Sequence, residues 1–371
     1  LDFRMAGSAL HSDVVLPTAT WYEKTDLSST DMHPFVHPFQ AAVDPLWEAR
    51  TDWDIFRTLA EAVSRVAKEA GMKPYTDVVA VPLQHDTEGE TAQPEGRICD
   101  WKKGDCEPIP GKTMPGLVTI ERDYTKTYEK WIGLGPNVEK GMGAHGLSWE
   151  SKEDYEEIRK RNGVIENKDF VSYGMPSIFE ARQAADAVMG LSSTTKGSVA
   201  VRAWQSMEKR TGLTNLTRLA KDREIERFTF DQVAVQPITT PTFTGSNRNR
   251  RYTPFTTNVE ELVPFRTVTG RQCFYVDHEL MQEWGEAMAT YRPILENRPI
   301  EKKLGEGKEI TLRYLTPHNK WSTHSMYFDS QQLLTLFRGG QTVWFNEKDA
   351  ADIDVKDNDW VELYNRNGVV A

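Results

Sequence analysis

The 371 residues, 39% apolar and 27% charged, suffice for about two to three domains and a sizeable core, and no apolar run approaches the roughly 18 residues of a membrane-spanning helix. A formal net charge of −10 argues against non-specific nucleic-acid binding and fits a cytosol-facing enzyme or subunit. Cys99, Cys106 and Cys273 are an odd number at no metal-ligand spacing, which speaks against a disulfide framework or a four-cysteine zinc or iron-sulfur site and for a reducing compartment.

The chain starts at Leu1 with no signal peptide, and residues 13–17 predict a buried strand almost at once. A loop dense in aromatic and polar residues follows, from Thr18 through Trp21, Tyr22 and Lys24 to His33-Pro34-Phe35-Val36-His37-Pro38. In α/β domains ligand contacts gather at the carboxyl ends of strands, which makes this loop a candidate contact region. His33 and His37 have the spacing of a helical metal pair, but Pro34 and Pro38 deny them the helix and leave packing or a substrate channel as their role.

Thr51 is the expected N-cap of a helix with Asp52 and Asp54 in its first turn. Ile55, Leu59, Val63, Val66 and Ala70 form its expected inner face, and Gly71 its stop. From about residue 72 to 170 short elements broken by Gly, Pro and charge predict an elaborated, ordered insertion. Helical pattern returns near 176–190 and 199–210, with Gly212 placed to cap. The run Ser246-Asn247-Arg248-Asn249-Arg250-Arg251 reads as an anion-attracting loop or as a solvated surface loop.

A second unit is expected from about Val263. It holds a turn at Thr269-Gly270-Arg271, a strand over 272–276 and a helix capped by Asp277 and running to about Tyr291. Residues 310–315 alternate like a strand and run into Thr316-Pro317-His318-Asn319-Lys320-Trp321-Ser322-Thr323-His324-Ser325. So many donors and acceptors in ten residues read either as a loop aimed at one heteroatom-rich ligand or as an exposed polar loop. A short helix with Asp329 as its cap and Leu333, Leu334 and Phe337 inward comes next. Strands over 342–346 and 360–364, joined through Asp349-Ala350 and a turn at 356–359, then suggest a barrel. Asn367-Gly368 is a hairpin signal whose second strand has barely begun at Ala371, and the sequence is therefore expected to be an internal fragment.

Several segments in this order and spacing carry a resemblance. They are Ser12-Asp13-Val14-Val15-Leu16-Pro17, Trp21-Tyr22-Glu23-Lys24 with Asp31-Met32-His33-Pro34-Phe35, and Thr269-Gly270-Arg271. To these add Thr316-Pro317-His318 with Lys320-Trp321 and His324-Ser325, and Asp349-Ala350 with Asn358-Asp359-Trp360 and Asn367-Gly368. Together they resemble the molybdopterin-dinucleotide oxidoreductase superfamily, and within it the branch of respiratory nitrate reductase catalytic subunits. The resemblance covers essentially the whole chain.

It implies an α/β catalytic-domain remnant over 1–71, a branch-specific α+β insertion over 72–262, and the first part of a double-psi β-barrel, the dinucleotide-binding domain, over 263–371. The implied cofactor is molybdenum bis(molybdopterin guanine dinucleotide). His318 and His324 are implied pyranopterin contacts, since imidazoles donate to or accept from pterin heteroatoms and tune a metal from beyond its own ligands. Thr316, Lys320, Trp321, Ser322 and Ser325 are neighbouring candidates in that loop, and Ser8, Ser12 and Asp13 candidates at the first strand's edge. His11 stays outside the set, and no catalytic or metal-ligating residue is expected within the chain.

The molybdenum's aspartate and the ligands of a 4Fe-4S cluster are expected upstream of Leu1, so the chain alone is expected to be inactive. The implied reaction is nitrate reduction to nitrite with quinol-derived electrons in anaerobic respiration. The implied setting is the cytoplasmic face of the cell membrane, with an iron-sulfur beta subunit and a haem b gamma subunit as partners. Two other readings stand beside it: a nitrite oxidoreductase alpha subunit running the reverse reaction, and a non-catalytic interaction module.

Overall fold

The computed structural model describes residues 1–30, 33–81, 104, 107–108, 116–144, 147–221, 229–235, 238–239, 258, 262, 265, 272, 274–276, 279–292, 307–315, 317, 327, 330–336, 342–365 and 368–370. In chain order the elements begin with α1 (Gly7–Leu10), β1 (Asp26–Thr30), β2 (His33–Phe39), α2 (Asp52–Glu69), β3 (Tyr75–Val81) and β4 (Gly116–Arg122). There follow α3 (Thr127–Ile132), α4 (Asn137–Lys140), β5 (Met142–Ala144), β6 (Leu147–Trp149), α5 (Lys152–Asn162), α6 (Ala181–Leu191) and α7 (Gly197–Thr211). The last are α8 (Arg218–Lys221), α9 (Phe230–Val235), β7 (Ile238–Thr239), α10 (Glu279–Glu283), α11 (Gln331–Leu336), α12 (Glu347–Asp352), β8 (Leu363–Asn365) and β9 (Gly368–Val370). The architecture is mixed α/β. It divides into two compact units, one of residues 16–273 with Leu1, the other of residues 2–15 with 274–371.

In the first unit the segment expected to be a ligand loop is instead an antiparallel hairpin, β1 against β2, with Asp26 opposite Phe39 and Ser28 opposite His37. Extended backbone suits Pro34 and Pro38, and they flank Phe35 and Val36, which pair with β7 at Thr239 and Ile238. His33 and His37 are thus about 13 Å apart along a strand, too far to share one metal ion. The strand expected over 13–17 is absent. Val14 is 72% exposed, and what lies there is an isolated parallel bridge of Thr18 with Arg50.

Helix α2 starts and stops where its sequence says. The Thr51 hydroxyl accepts the Asp54 N–H at 3.1 Å, and Gly71 takes φ +65° just past the end. Its inner face differs from the expected stripe. Ile55, Ala60, Ser64 and Ala67 are buried, whereas Leu59, Val63 and Val66 are 41%, 42% and 52% exposed. The helix is turned by about one residue, near 100°, because its small residues are the ones that let α3 approach. Ser64 Oγ there accepts the Tyr128 N–H at 2.8 Å.

The described part of the expected insertion, residues 72–81, 116–144 and 147–221 among it, forms regular elements. β3 and β4 pair over seven residues each, and the largest core joins β6 to α7 and α8 through Leu147, Trp149, Val199, Trp204, Met207 and Leu216. Gly212 ends α7 in the left-handed conformation, its N–H on the Glu208 carbonyl. A second cluster packs Val36 with Ala185 and Met189 of α6 and Phe230 and Val233 of α9.

The second unit departs furthest from expectation. Its buried apolar residues, among those described, are Ala6, Ala9 and Ala287, while Trp344 and Trp360 are 87% and 96% exposed. The expected strands over 272–276, 310–315 and 342–346 are not formed among the described residues: a strand needs a paired neighbour, and the bridge of Tyr275 with Met288 is the pairing found there. The helix expected to reach Tyr291 is only α10, Glu279–Glu283. Asp349 and Ala350, expected in a connector, lie in α12, capped by Asn346, whose side chain accepts the Lys348 N–H at 2.9 Å. A hairpin forms near Asn367-Gly368, but with Asn365 opposite Gly368 and Leu363 opposite Val370, so that Gly368 opens β9 instead of sitting in the turn.

Candidate cofactor-binding site

Three of the ten candidate cofactor residues lie within the described residues. Ser8 sits in α1, and Ser12 and Asp13 follow it; all three are exposed. The Ser12 hydroxyl donates to the Ser8 carbonyl at 2.7 Å, and the Ser12 N–H to Ala9 O at 3.2 Å, so the two serines are held on one compact turn. Buried Ala6 and Ala9 fix that turn from behind.

Thr316, His318, Lys320, Trp321, Ser322, His324 and Ser325 lie outside the described residues, as do Asp329 and residues 246–251. Their neighbours are informative. Tyr327, two residues past Ser325, packs against Phe3 with ring centroids 6.3 Å apart, and the Arg4 guanidinium lies 5.5 Å over the same ring. The first residues and the segment just after the polar loop therefore belong to one unit, although more than 300 positions separate them. Neither Arg4 nor Tyr327 stands in one of the segments that carry the resemblance.

The stretch Trp21-Tyr22-Glu23-Lys24 has a definite job in the first unit. The Lys24 ammonium bridges Asp52 at 2.7 Å and Asp26 at 3.3 Å, and Asp52 also accepts from the Thr18 hydroxyl at 3.2 Å. Burial works against the Lys24 charge, but the hydrogen bonds and charges of Asp52 and Asp26 outweigh it and hold the ammonium above the usual lysine range. Burial likewise pushes Asp52 up, and the Lys24 and Thr18 contacts bring it net below the usual carboxylate value. The hairpin is thereby tied to the first turn of α2, where negative charge is also favoured by the helix dipole.

A second charged group lies deeper. Asp154, with 2% of its side chain exposed, receives Lys196 at 2.9 Å and Arg202, joining α5 to α7. Among the described residues no group of three or more His, Cys, Asp or Glu is placed to hold a metal ion, and no helix is long and apolar enough to cross a membrane.

Residues 140–260 match the model of nitrate reductase alpha chain, domain V, residues 1–62 that of molybdopterin oxidoreductase, and residues 312–371 that of the molydopterin dinucleotide binding domain. Over its whole length the chain is 60% identical to the nitrate reductase alpha chain of Bacillus subtilis. Across its length the chain is thus similar to the nitrate reductase alpha-chain family of molybdopterin oxidoreductases. It is also 46% identical to a nitrate reductase alpha subunit of Mycobacterium tuberculosis and 42% identical to respiratory nitrate reductase 1 alpha chain of Escherichia coli, again over 100% of its length. The chain spans about 30% of the length of each of these relatives.

The family's cofactor is a large, polar and anionic pterin dinucleotide, and the described donor set fits such a group. Ser8 and Ser12 offer hydroxyls that both donate and accept, Asp13 a carboxylate for ring N–H and amino donors, and Arg4 a cation suited to phosphate. All four stand on one short segment of the unit to which the dinucleotide-binding match belongs.

Proposed function

We propose that this chain is part of the catalytic subunit of a respiratory nitrate reductase, reducing nitrate to nitrite at a molybdenum bis(molybdopterin guanine dinucleotide) centre with quinol-derived electrons. The observation that carries the reading is the similarity of the whole chain to nitrate reductase alpha chains, at 42–60% identity; the packing of Phe3 and Arg4 on Tyr327 supports Ser8, Ser12 and Asp13 as candidates. The names of those three relatives support it, each being a nitrate reductase alpha chain or subunit. They do not favour the non-catalytic module or the reverse reaction.

When bound, the cofactor supplies the two-electron removal of an oxygen atom from nitrate, two protons completing a water molecule beside nitrite. The chain's own residues bind and orient. His318 and His324 would hold pterin heteroatoms, with Thr316, Lys320, Trp321, Ser322, Ser325, Ser8, Ser12 and Asp13 as further candidates for the same cofactor. Residues 1–71, 72–262 and 263–371 serve as the end of the catalytic domain, a branch-specific insertion and a dinucleotide-binding domain with a double-psi barrel. An iron-sulfur beta subunit and a haem b gamma subunit deliver the electrons, at the cytoplasmic face of the membrane, and a 4Fe-4S cluster serves the same subunit.

The test is turnover of the intact purified protein with reduced viologen as donor. Nitrate-dependent oxidation of the viologen is expected, together with about one molybdenum per subunit by elemental analysis. Absence of nitrate-dependent oxidation in a molybdenum-loaded preparation overturns the assignment.

A further inference from the structure

Within the first unit a cavity of about 480 Å³ lies between the β1–β2 hairpin, the first turn of α2 and α6. That volume is in the range of small-molecule sites, which are mostly apolar with a few convergent polar groups. Its floor is Ala184, Ala185 and Met189 of α6, with Leu27 and Val36 of the hairpin behind. The alanines let a ligand lie close to the helix, and Val188 on the same wall is 61% exposed.

The polar end is the group of Lys24, Asp26 and Asp52. One ammonium stands between two carboxylates, which leaves a single net negative charge there. Lys24 has 15% of its side chain exposed and is committed to its two partners, whereas the Asp26 and Asp52 side chains are 51% and 47% exposed. Each carboxylate oxygen accepts more than one hydrogen bond, so acceptor capacity remains on the exposed side. An anion meets a net negative wall there, and a neutral apolar molecule strips water from two carboxylates with nothing in return.

We propose that this cavity binds a small organic monocation, an ammonium or guanidinium group carried on an apolar body, with its charge at Asp26 and Asp52 and its body on α6.

Calorimetric titration of the intact protein with n-octylammonium, octanoate and octanol, each below its micelle concentration, tests it. The expected result is saturable binding of octylammonium, weaker by about tenfold or more for the other two probes. Asp26→Asn, an exposed change that leaves the helix cap and core untouched, is expected to weaken octylammonium about threefold. Ala184→Phe is expected to abolish binding by filling the floor. Equal binding of octanoate, octylammonium binding undiminished in Asp26→Asn, or no binding of octylammonium overturns the proposal.

Discussion

The guanidinium of Arg4 lies 5.5 Å from the ring centroid of Tyr327, with Phe3 against the same ring. A cation over an aromatic face contributes about 0.5–2 kcal/mol, enough to bias how two short segments dock. We expect Tyr327→Ala to lower the retained molybdenum and pterin of the intact protein while Tyr327→Phe keeps both. Elemental analysis and pterin fluorescence after denaturation are the measurements, and equal cofactor content in both variants sinks the role.

His318→Ala in the intact protein is expected to shift the molybdenum midpoint potential or to reduce cofactor retention, because an imidazole beside the pterin tunes the metal's electronics. Redox titration followed by electron paramagnetic resonance reads the potential. Unchanged potential, occupancy and turnover together refute the contact.

On α2 the outward turn of the apolar stripe reverses the usual ranking of core substitutions. Ile55→Ala, at a position 6% exposed, should cost about 2–5 kcal/mol. Val63→Ala, at 42% exposure, should cost well under half of that. Denaturant titrations of the two variants decide it; equal losses would mean that the stripe is covered.

Asp154 faces Lys196 and Arg202 from a nearly fully buried position. Asp154→Ala takes from the Lys196 ammonium, 8% exposed, the more buried of its two carboxylate partners and leaves it Glu157 at 2.7 Å, at a cost of about 1–3 kcal/mol. The double variant Asp154→Ala with Lys196→Met should recover much of that loss in the same assay.

The tie of Lys24 to Asp52 should show in the pH dependence of stability. Asp52 is held below its usual value near 3.8, so its contribution is present above that value and lost as pH falls through the lower folded one. Lys24 is held above its usual value near 10.5, so its contribution is present below that value and lost as pH rises through the higher folded one. The melting-temperature difference between wild type and Lys24→Met should therefore be widest between the two limits and shrink beyond both. A difference flat through the acid limit counts against the pair.

Local signals were read well where one residue decides the matter. Thr51 caps α2, and Gly71 and Gly212 end their helices with positive φ, each through backbone geometry set by its own side chain or lack of one. Facing was harder. The stripe of Leu59, Val63 and Val66 is the more hydrophobic side of α2, yet the helix buries Ala60, Ser64 and Ala67, because close approach to α3 is a property of the pair. For the site, motif order named the loop and the Ser8 to Asp13 segment. Nothing in the sequence linked Arg4 to Tyr327 or Lys24 to Asp52, since contacts across the chain leave no periodic trace.

The two prolines of β2 have a consequence for association between chains. A strand edge invites another strand because its N–H groups are spaced for a ladder, and Pro34 and Pro38 remove two donors from seven residues. Between them lie Phe35, Val36 and His37, of which Phe35 and Val36 are already paired with β7 and His37 with Ser28 of β1. A foreign strand arriving there finds no run long enough to zip, so an apolar hairpin rich in aromatic residues carries its own safeguard against growing into a fibre.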